Sequence, residues 1–162
     1  MTNNDIFRRI RFLFNYPDAK MQRIYNLTNY KTDESQIVNW LKREDEENFV
    51  EMRDVDFATF LDGLIIEKRG KREGESPKPE KVLNNNIILK KLKIALNLDS
   101  DQILELFHKS AVKMSKHELS AFFRNPNHSS YKPCLDQYLR NFLNALQSKD
   151  SAQKSKDSQK DK

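Results

Sequence analysis

The chain has 162 residues and a formal net charge of +5, from 29 Lys and Arg against 24 Asp and Glu. Only three glycines and one cysteine are present, which argues against a turn-rich β fold, a glycine-rich phosphate loop and a disulfide framework. No stretch approaches the ~18 apolar residues of a membrane span.

The N-terminus places Asp5, Arg8, Arg9 and Arg11 where a signal peptide needs an apolar run. With the single Cys134, this predicts a protein of the reducing cytoplasm. After Leu146 the chain carries five lysines, three aspartates and almost nothing apolar. Residues 148–162 are therefore expected to be a disordered tail, unable to bury enough surface to offset ordering entropy. Two of the five net positive charges belong to that stretch, so the high pI overstates the case for a polyanionic partner.

From the start of the chain, Ile6, Phe7, Ile10, Leu13 and Phe14 recur at helical spacing, with Asn3 or Asn4 able to cap. Pro17 and Asp18 suit the start of a second helix, on which Met21, Ile24, Tyr25 and Thr28 share a side. Thr32 or Asp33 opens a third, and Asp33 with Gln36 has capping-box spacing. Its core side is Ile37, Trp40 and Leu41. Lys42 to Phe49 either extends this helix or begins a loop. Asp54 is expected to cap a fourth helix, with Phe57, Phe60, Leu61, Leu64 and Ile65 facing the core and Gly70 ending it.

Gly74, Pro77 and Pro79 then sit among charges without periodicity, which reads as a linker over 70–83. Beyond it the first unit is replayed at a shift of 82 positions. Asn3-Asn4 meets Asn85-Asn86, and Arg8, Arg9 and Arg11 meet Lys90, Lys91 and Lys93. Asn15 meets Asn97, Trp40 meets Phe122, Asp54 meets Asp136, and Phe60-Leu61 meets Phe142-Leu143.

An ungapped match over roughly sixty positions, concentrated at core sites, indicates duplication. The expected fold is all-α: two four-helix repeats, 3–69 and 84–147, about eight helices in all. A four-helix unit is near the size at which a core becomes marginal, so the pair is expected to pack about a pseudo-twofold axis.

Several stretches resemble the bacterial YehS-like proteins. They are Asn85-Asn86 with Ile88 to Leu96, Trp40 to Glu46, and Phe60 to Ile65 with Lys68-Arg69-Gly70. His128, Tyr131, Cys134, Asp136-Gln137, Leu139-Arg140 and Phe142-Leu143 complete the pattern. The resemblance spans nearly everything up to Leu146. It implies a duplicated domain of cytoplasmic bacterial proteins and no particular chemistry, because that family is one of unknown function.

The segment richest in functional groups is a polar cluster of His128, Tyr131, Cys134, Asp136, Gln137 and Arg140. Pro133 would put Cys134 in the first turn of a helix, where the dipole lowers a thiol pKa, and His128 could fold back towards it. The structural reading makes Tyr131 and Cys134 core residues and Asp136–Arg140 an i,i+4 ion pair. No spacing supports a catalytic dyad, and the three histidines lack partners at ligand spacing. No enzyme activity, metal, cofactor or small-molecule ligand is expected.

The acidic run Glu44-Asp45-Glu46-Glu47 is either a contact for a basic partner or a solvated loop. The basic stripe occurs twice: Arg8 and Arg11 share one helix face, as do Lys90 and Lys93, with Lys91 beside them. Two such helices could track a nucleic-acid backbone. The second and third helices of each repeat have a weak helix-turn-helix look; in the first, Asp33 and Glu34 would repel phosphate at the recognition position, and in the second, Lys116 and His117 would not.

The leading expectation is a non-enzymatic protein binding nucleic acid through Arg8, Arg11, Lys90, Lys91 and Lys93. The alternative is a protein-interaction adaptor using an inter-repeat groove and the acidic loop 44–47.

Overall fold

The computed structural model describes residues 1–75 and 78–160, the side chains of 150–154 and 160 excepted. Its described residues form eight α-helices and no strand. They are α1 (Asn3–Phe14), α2 (Asp18–Tyr25), α3 (Glu34–Leu41), α4 (Asp54–Arg69), α5 (Asn85–Ala95), α6 (Ser100–Lys109), α7 (Lys116–Phe122) and α8 (Asp136–Lys160).

The caps explain the boundaries. Thr2, rather than Asn3 or Asn4, caps α1 in a reciprocal box with Asp5. Asp33 accepts from the Gln36 N–H, Asp99 and Gln102 form a full box, and Ser115 accepts from Glu118. Asn15 and Asn97, equivalent in the two repeats, both adopt left-handed φ values of 54° and 53°. An amide side chain tolerates this conformation at a helix end. Arg53, not Asp54, is the cap residue of α4, and Asp54 becomes its first helical residue.

The stretch Lys42–Arg53 is irregular, so its peptide groups need partners outside regular structure. The Asn3-Asn4 pair supplies those of Val50 and Met52. Asn4 is buried; its Nδ2 donates to the Trp40 carbonyl (3.0 Å) and the Val50 carbonyl (2.9 Å), and its Oδ1 accepts from the Met52 N–H (2.9 Å). Asn3 Nδ2 donates to the Met52 carbonyl and to Asp54 Oδ1. The capping role expected of these residues is thus replaced by a loop-bracing one. Asn86, the counterpart of Asn4, is likewise buried.

Packing divides the chain into two compact units, 1–97 and 98–162. In the first, α4 is central: α1, α2 and α5 all pack on it. Phe7 meets Phe60 edge-on at 4.7 Å and Trp40 edge-on at 6.3 Å, over a core that includes Ile10, Ile24, Ile37 and Leu61. The α2–α4 contact passes through Gly63, where an added Cβ would lie 2.2 Å from the Ile24 carbonyl oxygen. In the second unit α6 packs on both α7 and α8, and Phe107 and Phe142 are fully buried.

The packing boundary therefore falls after α5, whereas the repeat boundary expected from sequence lies at 70–83. The linker causes the difference. It folds back so that the Leu83 N–H donates to Asp54 Oδ2, and α5 docks along α4.

The stretch expected to be a disordered tail is helical through Lys160, continuous with α8; residues 161–162 lie outside the described residues. The buried side chains Leu139, Phe142, Leu143 and Leu146 start α8. Each later residue then adds a helical bond without a new nucleation cost. No Gly or Pro follows to stop it.

Two substitutions check this account. Asn4→Ala leaves three buried backbone groups unpaired and should lower unfolding free energy by about 3 kcal/mol, read by urea denaturation. Gly63→Ala forces α2 from α4 and should cost about 2 to 3 kcal/mol, with a matching fall in thermal midpoint.

Candidate functional site

The basic stripe is largely occupied by internal partners. Arg8 donates to the Lys42 carbonyl (2.8 Å) and is ion-paired with Asp5. Arg11 reaches Asp18 at 3.4 Å and the Tyr16 carbonyl at 3.3 Å. Lys91 is mostly buried, with Nζ 2.5 Å from Asp62 and 3.0 Å from Glu80. Burial pushes the Asp62 carboxyl up against the opposing pull of Lys91, and Glu80 pushes the same way as burial. This triad joins α4, α5 and the linker. Lys90 is exposed and Lys93 half-buried.

The polar cluster divides along its loop. The exposed His128 turns back on its own turn, with Nδ1 accepting from the Ser130 N–H (3.0 Å). Arg140 donates to Gln137 (3.2 Å), and Gln137 donates to Asn141 (3.1 Å). Tyr131 is half-buried, with its N–H on the His128 carbonyl.

Helix α8 begins at Asp136, so Cys134 precedes it and is not in its first turn. The thiol is buried, and burial, reinforced by the Asp136 charge, pushes its pKa up to about 12. That is opposite to the activation a helix N-terminus would supply. The described residues contain no cluster of three His, Cys, Asp or Glu able to hold a metal.

All four residues of the acidic run, Glu44, Asp45, Glu46 and Glu47, are exposed.

The structure adds a cavity of about 620 Å³ along α4 and α5. Its apolar wall is Ile65 and Ile66 from α4 and Ile87 and Ile94 from α5, with Tyr30 from the loop after α2. All four isoleucines remain half-exposed, and Tyr30 is exposed. Lys90 and Lys91 line it beside Asp62, and the linker residues Gly70 to Glu73, Glu75, Pro79 and Glu80 edge it. It lies between the last helix of the first repeat and the first helix of the second.

Ile66 and Ile87 were not expected to face a groove. The available signal was an excess of apolar residues: α4 carries Ile66 beyond its core-facing set, and α5 carries Ile87 off the Ile88–Leu89–Leu92 face.

The described residues define a small all-helical protein. A family model described as a protein of unknown function, DUF1456, matches residues 3–70 and again residues 85–150. The chain belongs to that family. It is 40% identical over 155 residues to the Escherichia coli (strain K12) protein described as uncharacterized protein YehS. That match covers 95% of this chain and 99% of the relative. No solved structure matches. No helix among the described residues is long and apolar enough to cross a membrane.

The Cys134 environment has a measurable consequence. Its raised folded pKa contributes stability that is fully present below the free-thiol pKa and lost as pH rises from there towards 12. Native protein at pH 8 should react with a thiol reagent at least about a hundredfold more slowly than urea-unfolded protein, followed by absorbance of the released chromophore.

Proposed function

We propose that the protein is a non-enzymatic cytoplasmic adaptor whose α4–α5 groove takes an apolar segment of a protein partner. The observation that carries this reading is the row of four half-exposed isoleucines on two adjacent helices. Side chains at helical spacing along a partner segment can enter such a groove, and an apolar centre with charged edges is the usual anatomy of an interface. Lys90 lines the groove and is exposed, available to an acidic residue of the partner.

Nucleic-acid binding through the basic stripe is the second reading. It needs cations free to displace counterions from phosphates. Arg8, Arg11 and Lys91 are each engaged with carboxylates, so the exposed Lys90 would have to carry much of the contact.

A comparison of variants separates the two. Wild-type protein, Ile66→Glu and the Lys90→Ala/Lys93→Ala double variant are recovered from nuclease-treated lysate. Bound material is identified by absorbance ratio and mass spectrometry. The adaptor reading predicts a defined protein that survives nuclease and falls at least about tenfold with Ile66→Glu, a loss of about 1.4 kcal/mol. Co-purifying nucleic acid that leaves with salt, and is lost only in the lysine variant, would overturn it.

A further inference from the structure

A second cavity, of about 400 Å³, opens in the first repeat beside Trp40. Its wall includes Tyr25, Gln36, Trp40, Glu51, Arg53 and Asp56. The two repeats treat this place differently. In the second, Phe107, Met114, Phe122 and Tyr138 stand where the first has Tyr25, Thr32, Trp40 and Asp56. There the Tyr138 ring packs against Phe107 at 6.3 Å and Phe122 at 5.4 Å, and Met114 is buried.

An aromatic and apolar plug in one copy is thus a polar recess in the other. Replacing apolar filling by polar groups forfeits burial, so the change needs another explanation.

Three features of the recess point to a ligand. Trp40 is 3% exposed, and its buried indole Nε1 has no hydrogen-bond partner among the described residues. A buried donor without an acceptor is costly, and a bound oxygen relieves that cost. Arg53 holds Asp56 through two contacts, Nε to Oδ2 at 2.9 Å and NH2 to Oδ1 at 3.2 Å. The Asp56 side chain is 13% exposed and the Arg53 side chain 74%. The recess therefore offers cation and carboxylate side by side. Lys31 and Glu51 also line it, so the charges of the wall balance.

We propose that this recess binds a small zwitterion, a free α-amino acid. The ligand's carboxylate is received by Arg53 and the Trp40 indole N–H, and its ammonium by Asp56 and Glu51. Charge-assisted contacts of both signs select a molecule that carries both charges on neighbouring atoms. The proposal is independent of the α4–α5 groove.

Trp40 is the only tryptophan in the chain, so one indole reports directly on the recess. The twenty free L-amino acids are added singly to full-length protein at roughly millimolar concentration. The readouts are the indole N–H resonance and tryptophan fluorescence. At least one amino acid should shift both saturably, and its N-acetylated form, which lacks the ammonium, should not.

Asp56→Asn should weaken binding at least about tenfold. Asp56→Tyr, which installs the second repeat's plug, should abolish it. Both variants should keep the wild-type helical circular dichroism and elution volume. No saturable shift with any amino acid would overturn the proposal. So would a shift that persists in folded Asp56→Asn and Asp56→Tyr.

Discussion

The amide of Asn4 braces the first compact unit. A dozen residues between α3 and α4 have no regular secondary structure, yet they pass beside the core. Backbone polar groups in such a place must be paired or the segment cannot be covered. One buried side chain pairs two of them, from Val50 and Met52, together with the Trp40 carbonyl of α3, and thereby joins the start of α1 to the end of α3 and the approach to α4. An amide suits the task because it offers two donors and an acceptor without a charge to desolvate.

Given that brace, α4 becomes the element on which the unit is built. Its Gly63 lets α2 approach to backbone contact, its aromatic residues meet α1, and its outer side receives α5. The docking of α5 is secured by Lys91 between Asp62 and Glu80. Such a pair adds little net stability for its cost in desolvation, but it selects one arrangement over others because an unpaired charge there would be expensive. The same residues that fix α5 also withdraw Lys91 from the solvent.

The two repeats share a frame and differ in what they leave open. Asn15 and Asn97 keep the same left-handed turn, and core positions exchange one apolar residue for another. Between α2, α3 and the start of α4 the first copy carries Tyr25, Trp40, Arg53 and Asp56, and the equivalent place in the second is closed by Tyr138. Duplication relieves one copy of a constraint that the other continues to meet, and the polar recess lies in the copy that departs from apolar packing.

The amino-acid sequence by itself determined the helical periods, the duplication and the family membership. Those depend on local spacing and on self-similarity, which one chain displays without help from its fold. It also marked Asn3-Asn4 and Asn85-Asn86 as paired features. It could not show that Asn4 turns inward to a loop about forty residues away, because a side-chain bond at that separation exists only after the chain closes.

Four further matters were decided by tertiary structure. The docking of α5 on α4 moved the packing boundary beyond the repeat boundary. Ion pairing consumed Arg8, Arg11 and Lys91, and the start of α8 at Asp136 left Cys134 in the preceding loop, buried, where its thiol is held neutral. Of the four isoleucines of the α4–α5 groove, Ile65 reads as a core residue in one dimension, and nothing in the sequence aims Ile66 and Ile87 at a groove. The four form a surface only where two consecutive helices pack side by side, bury most of their apolar residues and leave one edge uncovered.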